Sequence, residues 1–526
     1  MHTLVDVKPI ELGYSVLLAA SVALGLGCGS VKNNPGPDGG GGDFALTATP
    51  ASLNVPIAGT ATVTISVDRT GSSGAVMLSA QNAPAGITVT FATNPVPAGA
   101  NSSDATFAVA PGTPPGTSNV TIVGSSGGVE KTVTVAVTAQ TITVAGTVRG
   151  GAQGVPVRIV GKPAVTSGTG GSFMFTDVSP PYDIYTVGTT GFGTATPSVI
   201  YYQGLTRTDP VVSVSQPLFL ILPLGSSGTI AGAKSGNSDA TNPMMIAWDS
   251  GGAQTVAPST YSFSASWPKA AARQGTLYGF QFSRKLTGAP DVFTGYGSSG
   301  LVTVSENVTN TVNLVMPAPA TAALAGAITA PSGFPSPTIT LTQQLGSASS
   351  LVLWTGTTTA AAATIPLVGA GKSSLFATAT LDNATTQFVH PALAAAADVT
   401  FALPAPSVQS APLNAATGVT VATPFTWSPA PNTVYQVTLS TTTATGTAKA
   451  QYSVFTTSTT ATIPMVPELT LPLNQSFTWN VNGFGPNASI NDAASATGPQ
   501  FASSADFTGT VHWFTNSTDR SFTTAP

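Results

Sequence analysis

Short runs of strictly alternating β-branched and small residues constrain this chain more than any other feature. Thr62-Val-Thr-Ile-Ser-Val67, Ile87-Thr-Val-Thr-Phe91, Ala105-Thr-Phe-Ala-Val109 and Thr132-Val-Thr-Val-Ala-Val137 repeat the pattern at near-regular spacing. A period of two puts one face of each run inward and the other outward, as in a half-buried strand. β-branched side chains lose rotamer freedom in a helix and fit a pleated surface. Gly and Pro, 55 and 42 residues, fall between the runs and punctuate them as turns. The expectation is an all-β chain of tandem antiparallel β-sandwich domains. At roughly 100–200 residues per domain, 526 residues suggest three to five of them.

Charge narrows the function classes. Only 7% of residues are charged and the net charge is −4. No basic stripe exists to neutralise phosphates, so nucleic acid is not an expected partner. The single cysteine, Cys28, cannot form an internal disulfide and needs another explanation.

Its position supplies one. Residues 1–27 have a short polar start, an apolar stretch from Tyr14 to Gly27 and small residues before Cys28. That is the layout of a secretory signal, too short for a comfortable bilayer span. Gly27-Cys28 resembles the end of the bacterial lipoprotein signal, which usually has Leu three before the cysteine; here Gly25 stands there, with leucines at Leu24 and Leu26. The resemblance implies cleavage before Cys28, a diacylglycerol on its sulfur and attachment to the membrane through that lipid. Several acyl chains anchor durably where one does not. Gly29 stands where an inner-membrane retention signal would carry Asp. The implied location is therefore the outer membrane of the cell envelope, surface-exposed or periplasm-facing. An ordinary cleaved signal peptide with an incidental cysteine is the alternative. Residues 28–43, the cysteine and a Gly-rich stretch, read as a flexible linker.

Five modules follow. Residues 44–140, with Asn82-Ala-Pro-Ala-Gly-Ile87 and Asn94-Pro-Val96, resemble an immunoglobulin-like sandwich. Residues 141–225, 226–319 and 320–406 share a frame. Each opens on a strand with Ala-Gly: Val144-Ala-Gly-Thr-Val148, Ile230-Ala-Gly-Ala233 and Leu324-Ala-Gly-Ala-Ile328. Each closes on an apolar run ending in Pro: Leu218–Pro223, Val312–Pro317 and Val399–Pro404. In the first of the three, Gly154-Val-Pro-Val-Arg-Ile159 and Thr166–Phe175 resemble the carboxypeptidase regulatory-like domain, a transthyretin-like or prealbumin-like sandwich. The other two resemble it through their opening and closing strands. That family's turn usually carries Asp or Asn where Gly168-Thr-Gly-Gly-Ser172 stands, so a metal is not expected there. Residues 407–526, with Pro424-Phe-Thr-Trp427, Val434–Leu439 and Arg520–Thr524, resemble a fibronectin type III-like domain with Trp427 as its core tryptophan. Residues 484–510 read as a polar, Ala-rich loop.

Candidate chemistry is sparse. Gly124-Ser-Ser126-Gly-Gly128 has the Gly-x-Ser-x-Gly spacing of serine hydrolases, but it joins two strands and reads as a hairpin turn. The histidines, His2, His390 and His512, are scattered, and zinc needs three or four converging ligands. Asp177 and Asp183 flank Pro180-Pro-Tyr182 and read as turn formers rather than a glycosidase pair. Asn101, Asn119 and Asn307 match Asn-x-Ser/Thr through composition. No catalytic residue, metal or cofactor is expected.

The densest aromatic stretch is Leu277-Tyr-Gly-Phe-Gln-Phe-Ser-Arg-Lys-Leu286. Alternation puts Tyr278, Phe280 and Phe282 on one face. Core packing is the plain reading. The functional reading is an exposed aromatic platform for sugar rings, rimmed by Arg284, with Tyr201 and Tyr202 as a second candidate. The expected function is non-catalytic: a cell-envelope lipoprotein displaying modules for adhesion or for carbohydrate or envelope-protein binding. The alternative is an accessory scaffold that holds a partner of a secreted hydrolase system.

Overall fold

A computed structural model of the chain describes residues 43–71, 74–190, 196–215, 225–235, 242–248, 253–256, 259–267, 270–283, 292–319, 321–324, 326–345, 349–356, 363–366, 373–393, 398–441, 450–498 and 511–526. Cys28, the signal segment and the linker before Asp43 lie outside these residues, as do Arg284 and the run Leu218–Pro223. The architecture is all-β: mainly antiparallel sheets stacked face to face, with, among the described residues, one short α-helix, Ile490–Ala493, and two short 3-10 turns. Among the described residues no helix is long and apolar enough to cross a membrane.

The first module is a two-sheet sandwich. Asp43–Thr49, Thr60–Thr70, Ser102–Val109 and Ile87–Phe91 form one sheet; Ser52–Pro56, Val129–Gln140, Gly116–Ser126 and Met77–Gln81 form the other. The inward residues of the alternating runs, among them Val63, Ile65, Phe107, Val120, Ile122, Val135 and Val137, make its core. The module opens on two strands that join different sheets. Asp43–Thr49 pairs antiparallel with Thr60–Thr70, and Ser52–Pro56 pairs parallel with Val129–Gln140 in the opposite sheet. A single residue, Thr141, separates this module from the strand Ile142–Val148.

The Ala-Gly frame shared by the next three modules has one physical cause. In each module the opening strand pairs parallel with a closing segment. Ile142–Val148 pairs with Val211–Val212, Ser226–Ala233 with Thr309–Thr311, and Ile328–Thr329 with Phe401–Ala402. Gly146, Gly232 and Gly326 sit beside these pairings. A Cβ added there would collide with the backbone carbonyls of Pro210, Val312 and Val399, respectively. Only a residue without a side chain permits so close an approach. In the first of these modules the closing partner is Val211–Val212; the expected Leu218–Pro223 lies outside the described residues.

The modules are also fused sideways. One 14-stranded sheet runs through three of them: twelve strands form its path, and Arg520–Thr524 and Ala416–Val419 branch from it. It starts in residues 141–225 with Val165–Thr166, Pro156–Ile159, Tyr182–Thr190 and Thr196–Leu205. It continues through Gln451–Thr456, Val434–Thr441, Ser476–Gly485 and His512–Asn516 of the C-terminal module. It ends in Ala384–Leu393, Ser373–Leu381, Thr338–Leu345 and Ser349–Gly356. The joints are a parallel pairing of Ser198–Tyr202 with Gln451–Phe455 and an antiparallel pairing of Thr385–Val389 with His512–Asn516. Edge strands expose unpaired backbone groups, and mutual pairing satisfies them. Hence the C-terminal module lies between residues 141–225 and 320–406 rather than at the end of a string.

Two cores follow the sheet across its first joint. Val157, Ile184, Ile200 and Tyr202 share one with Val434, Phe455 and Ile490. On the opposite face, Tyr185, Val199 and Tyr201 share another with Trp427, Tyr435, Trp479 and Phe522. Trp427 is buried, as its sequence context predicts, and its ring meets Tyr435 edge-on at 5.4 Å. Of residues 484–510, expected as a loop, 484–498 are described, and this joint holds them in place. Asp492 accepts from the backbone N–H groups of Ala488 and Ser489, and Ile490, Ala493 and Ala494 are buried in the shared core.

Candidate functional site

The aromatic platform is a core, not a surface. Tyr278, Phe280 and Phe282 are 5%, 1% and 3% exposed. Their strand, Ala272–Ser283, is central: it pairs with Met244–Trp248 on one side and Val292–Ser305 on the other. Both of its faces are covered. Leu277 packs with Ile246, Trp248 and Trp267. Tyr278, Phe280 and Phe282 point the other way, into a cluster with Ile339, Leu341, Leu375 and Phe388 from residues 320–406. Across the hairpin Phe280 meets Tyr296 at 5.1 Å and Phe282 meets Phe293 at 6.4 Å. The expected common face is there, but a neighbouring module takes it. Arg284, the expected rim, lies outside the described residues.

Tyr201 and Tyr202 are buried too, at 8% and 1%. Adjacent in a strand, they face opposite cores. Tyr201 stacks on Tyr185 with centroids 5.7 Å apart, and its hydroxyl donates to Asp183 at 2.8 Å. Burial, reinforced by that carboxylate, raises its pKa. The Tyr202 hydroxyl accepts from the Ser213 backbone N–H at 3.0 Å. Neither ring is open to a ligand. Among the described side chains no Phe, Tyr or Trp is fully exposed, and Phe91, Phe263, Phe334, Phe376 and Phe514 are half-buried.

The other candidates resolve into structure. Ser126 ends a strand and Val129 starts the next, with Gly127 and Gly128 both at positive φ between them. That is a two-residue hairpin, not a nucleophile elbow. Asp177 adopts φ 56° at an irregularity in its strand pairing, as a turn former does. Asp183 spends both oxygens on the Tyr201 hydroxyl and the Gly204 N–H, each at 2.8 Å. His390 and His512 come closer than their sequence separation suggests, because Val389 pairs with His512. Alternation turns His390 to the face opposite Val389 and so opposite His512. Among the described residues no group of three or more His, Cys, Asp or Glu side chains could hold a metal.

What the structure does expose is aliphatic. Val419, Val421, Pro464, Met465, Val466, Pro467, Leu469, Leu471 and Leu473 line most of a groove of about 460 Å³ on the C-terminal module. Met465 is 82% exposed and Leu473 63%. Prolines at 464, 467 and 472 keep this apolar segment out of a sheet interior, since they cannot donate to a ladder. That proline spacing within an apolar run was the available sequence signal. The inner side of the segment is fixed: Val466 and Leu469 are buried, and Glu468 forms an ion pair with Arg158 and accepts from the Tyr185 hydroxyl. Burial first, then the Glu468 charge, pushes the Tyr185 phenol up to about 12.

No protein-family model matches the chain, and no curated protein does. Among solved structures it is similar to domains 4–9 of the surface layer protein SbsC, at 10% identity over 83% of this chain and 62% of that one, with a TM-score of 0.15. The matched region thus spans less than two thirds of the SbsC chain's own length. It is also similar to the four N-terminal Ig domains of Dscam1 isoform 4.44, at 8% identity over 66% of this chain and 98% of that one, with a TM-score of 0.12. The pilus adhesin SpaC from Lactobacillus rhamnosus GG, in its open conformation, matches at 10% identity over 76% of this chain and 57% of that one, with a TM-score of 0.13. At TM-scores this low the likeness bears on neither detailed topology nor function.

Proposed function

We propose that this chain is a non-catalytic lipoprotein of the cell envelope, anchored through lipid on Cys28, whose sandwich modules present a protein-binding surface for adhesion. The exposed aliphatic groove around Met465 and Leu473 carries this reading. Monomeric soluble proteins keep contiguous apolar patches small, and larger ones mark interaction sites. An aliphatic groove without a stacking ring suits apolar side chains of a protein more than sugar rings.

Two measurements test it. Palmitate labelling with membrane fractionation, in wild type and Cys28→Ala, reads the anchor; label lost in the variant is expected, and an unlabelled wild type in the medium would remove the anchor. Adhesion of cells displaying the wild type is compared with that of cells displaying Met465→Glu/Leu473→Glu. Both residues are largely exposed, so folding and display should persist while adhesion falls at least tenfold. Undiminished adhesion at equal display would remove the groove.

A further inference from the structure

The first joint of the long sheet is more than a packing contact. Residues 141–225 contain three arginines, and each reaches the C-terminal module. Arg149 donates to the carbonyls of Ser495 at 2.8 Å and Ala496 at 3.1 Å. Arg158 pairs with Glu468, and Arg207 donates to the Asn491 carbonyl at 2.8 Å. The Asn491 side-chain oxygen accepts in return from the backbone of Thr206 and Arg207. The Val211 N–H donates to the Ala494 carbonyl at 2.7 Å. With the parallel strand pairing between them and shared cores on both sheet faces, two distant stretches of chain form one body.

We infer that this joint is a mechanical clasp that closes the chain on itself and takes residues 226–406 out of the line of force. A pull between the N-terminal side and the C-terminus enters residues 141–215, crosses the clasp and leaves through residues 407–526. Residues 226–406 leave and rejoin this path on its two sides, so they form a bypassed loop. They carry load only after the clasp opens, and then let out reserve length. The contact between Thr385–Val389 and His512–Asn516 keeps the loop attached to the C-terminal module meanwhile. A protein that holds a surface against shear gains from such an arrangement, because its first yielding step lengthens it without parting it.

The test uses the full, unlipidated chain with a protease site inserted between Leu224 and Gly225. After cutting, the two pieces should co-elute in native gel filtration at the mass of the intact chain. Stretched between the Cys28 thiol and a C-terminal tag, cut and uncut chains should give the same first rupture force, and only the uncut chain should then extend further. Pieces that part during native gel filtration, or a cut chain that parts without resistance, would overturn the clasp. Arg158→Ala/Arg207→Ala should lower the first rupture force of the cut chain while circular dichroism stays unchanged. An unchanged force would remove the arginines from the clasp, with the cut wild type still deciding whether one exists.

Discussion

Tyr202 stacks on Phe455 with ring centroids 4.8 Å apart and planes 9° from parallel, although the two residues belong to modules separated by two others along the chain. Both rings are 1% exposed, and their strands pair in parallel register at this very position. The stack makes the cores of residues 141–215 and 407–526 a single object.

Phe455→Ala should therefore cost about 3–5 kcal/mol, as other buried Phe truncations do, and the loss should be felt on both sides of the joint. Hydrogen exchange is the measurement. Amides of Tyr182–Thr190 and of Val434–Thr441 should lose protection together. Loss confined to the C-terminal strands would mean that the two stretches unfold independently.

The shared glycines give a second expectation. Gly232→Ala places a methyl against the Val312 carbonyl, where the backbone must shift. A cost of about 1–3 kcal/mol is expected from overpacking. Gly300 lies in the strand Val292–Ser305 of the same module, with nothing within 4 Å of an added Cβ. Gly300→Ala should leave the thermal midpoint unchanged. Equal midpoints for the two variants would refute the close-approach explanation of the repeated Ala-Gly.

Tyr278→Ala should act on stability rather than on ligand binding. The ring is 5% exposed in a cluster shared with Leu341 and Phe388. A loss of about 3–5 kcal/mol is expected, visible in chemical denaturation as a lower midpoint at unchanged slope. A variant as stable as wild type would return the ring to the surface.

Alkaline pH should loosen the molecule. Tyr185 and Tyr261 are both pushed up to about 12 from 10.0, chiefly by burial. A raised folded-state value means that the fold favours the neutral phenol. The stabilisation is complete below pH 10 and drains away as pH climbs from about 10 to 12. Tyrosinate absorbance of the native chain should lag that of the urea-unfolded chain over this window, and Tyr185→Phe should reduce the loss. Superimposable titrations would contradict the burial of these hydroxyls.

Local pattern was legible in the sequence because it is a local matter. Thr62–Val67 and Thr132–Val137 alternate since every second side chain must be buried, and the structure buries those side chains. Gly127-Gly128 reads as a turn because glycine accepts successive positive φ values most readily, as the structure shows for both residues. The repeated Ala-Gly was visible as a repeat, but its cause, a carbonyl from a closing strand some 60–80 residues away, was not. Periodicity likewise put Tyr278, Phe280 and Phe282 on one face. It could not say whether that face met water or Leu341, because amphipathicity looks the same in both cases.

By itself, then, the sequence determined the all-β class, the sandwich-sized spacing of strands and turns, the common face of the aromatic strand and the lone cysteine behind an apolar segment. Tertiary structure alone decided which edges meet, that Thr196–Leu205 pairs with Gln451–Thr456, and that the aromatic face is covered while Met465 and Leu473 are bare. The physical reason is that strand propensity and side-chain alternation are properties of neighbouring residues. The choice of partner for a free edge depends on backbone groups that every residue carries alike, so no side-chain pattern announces it.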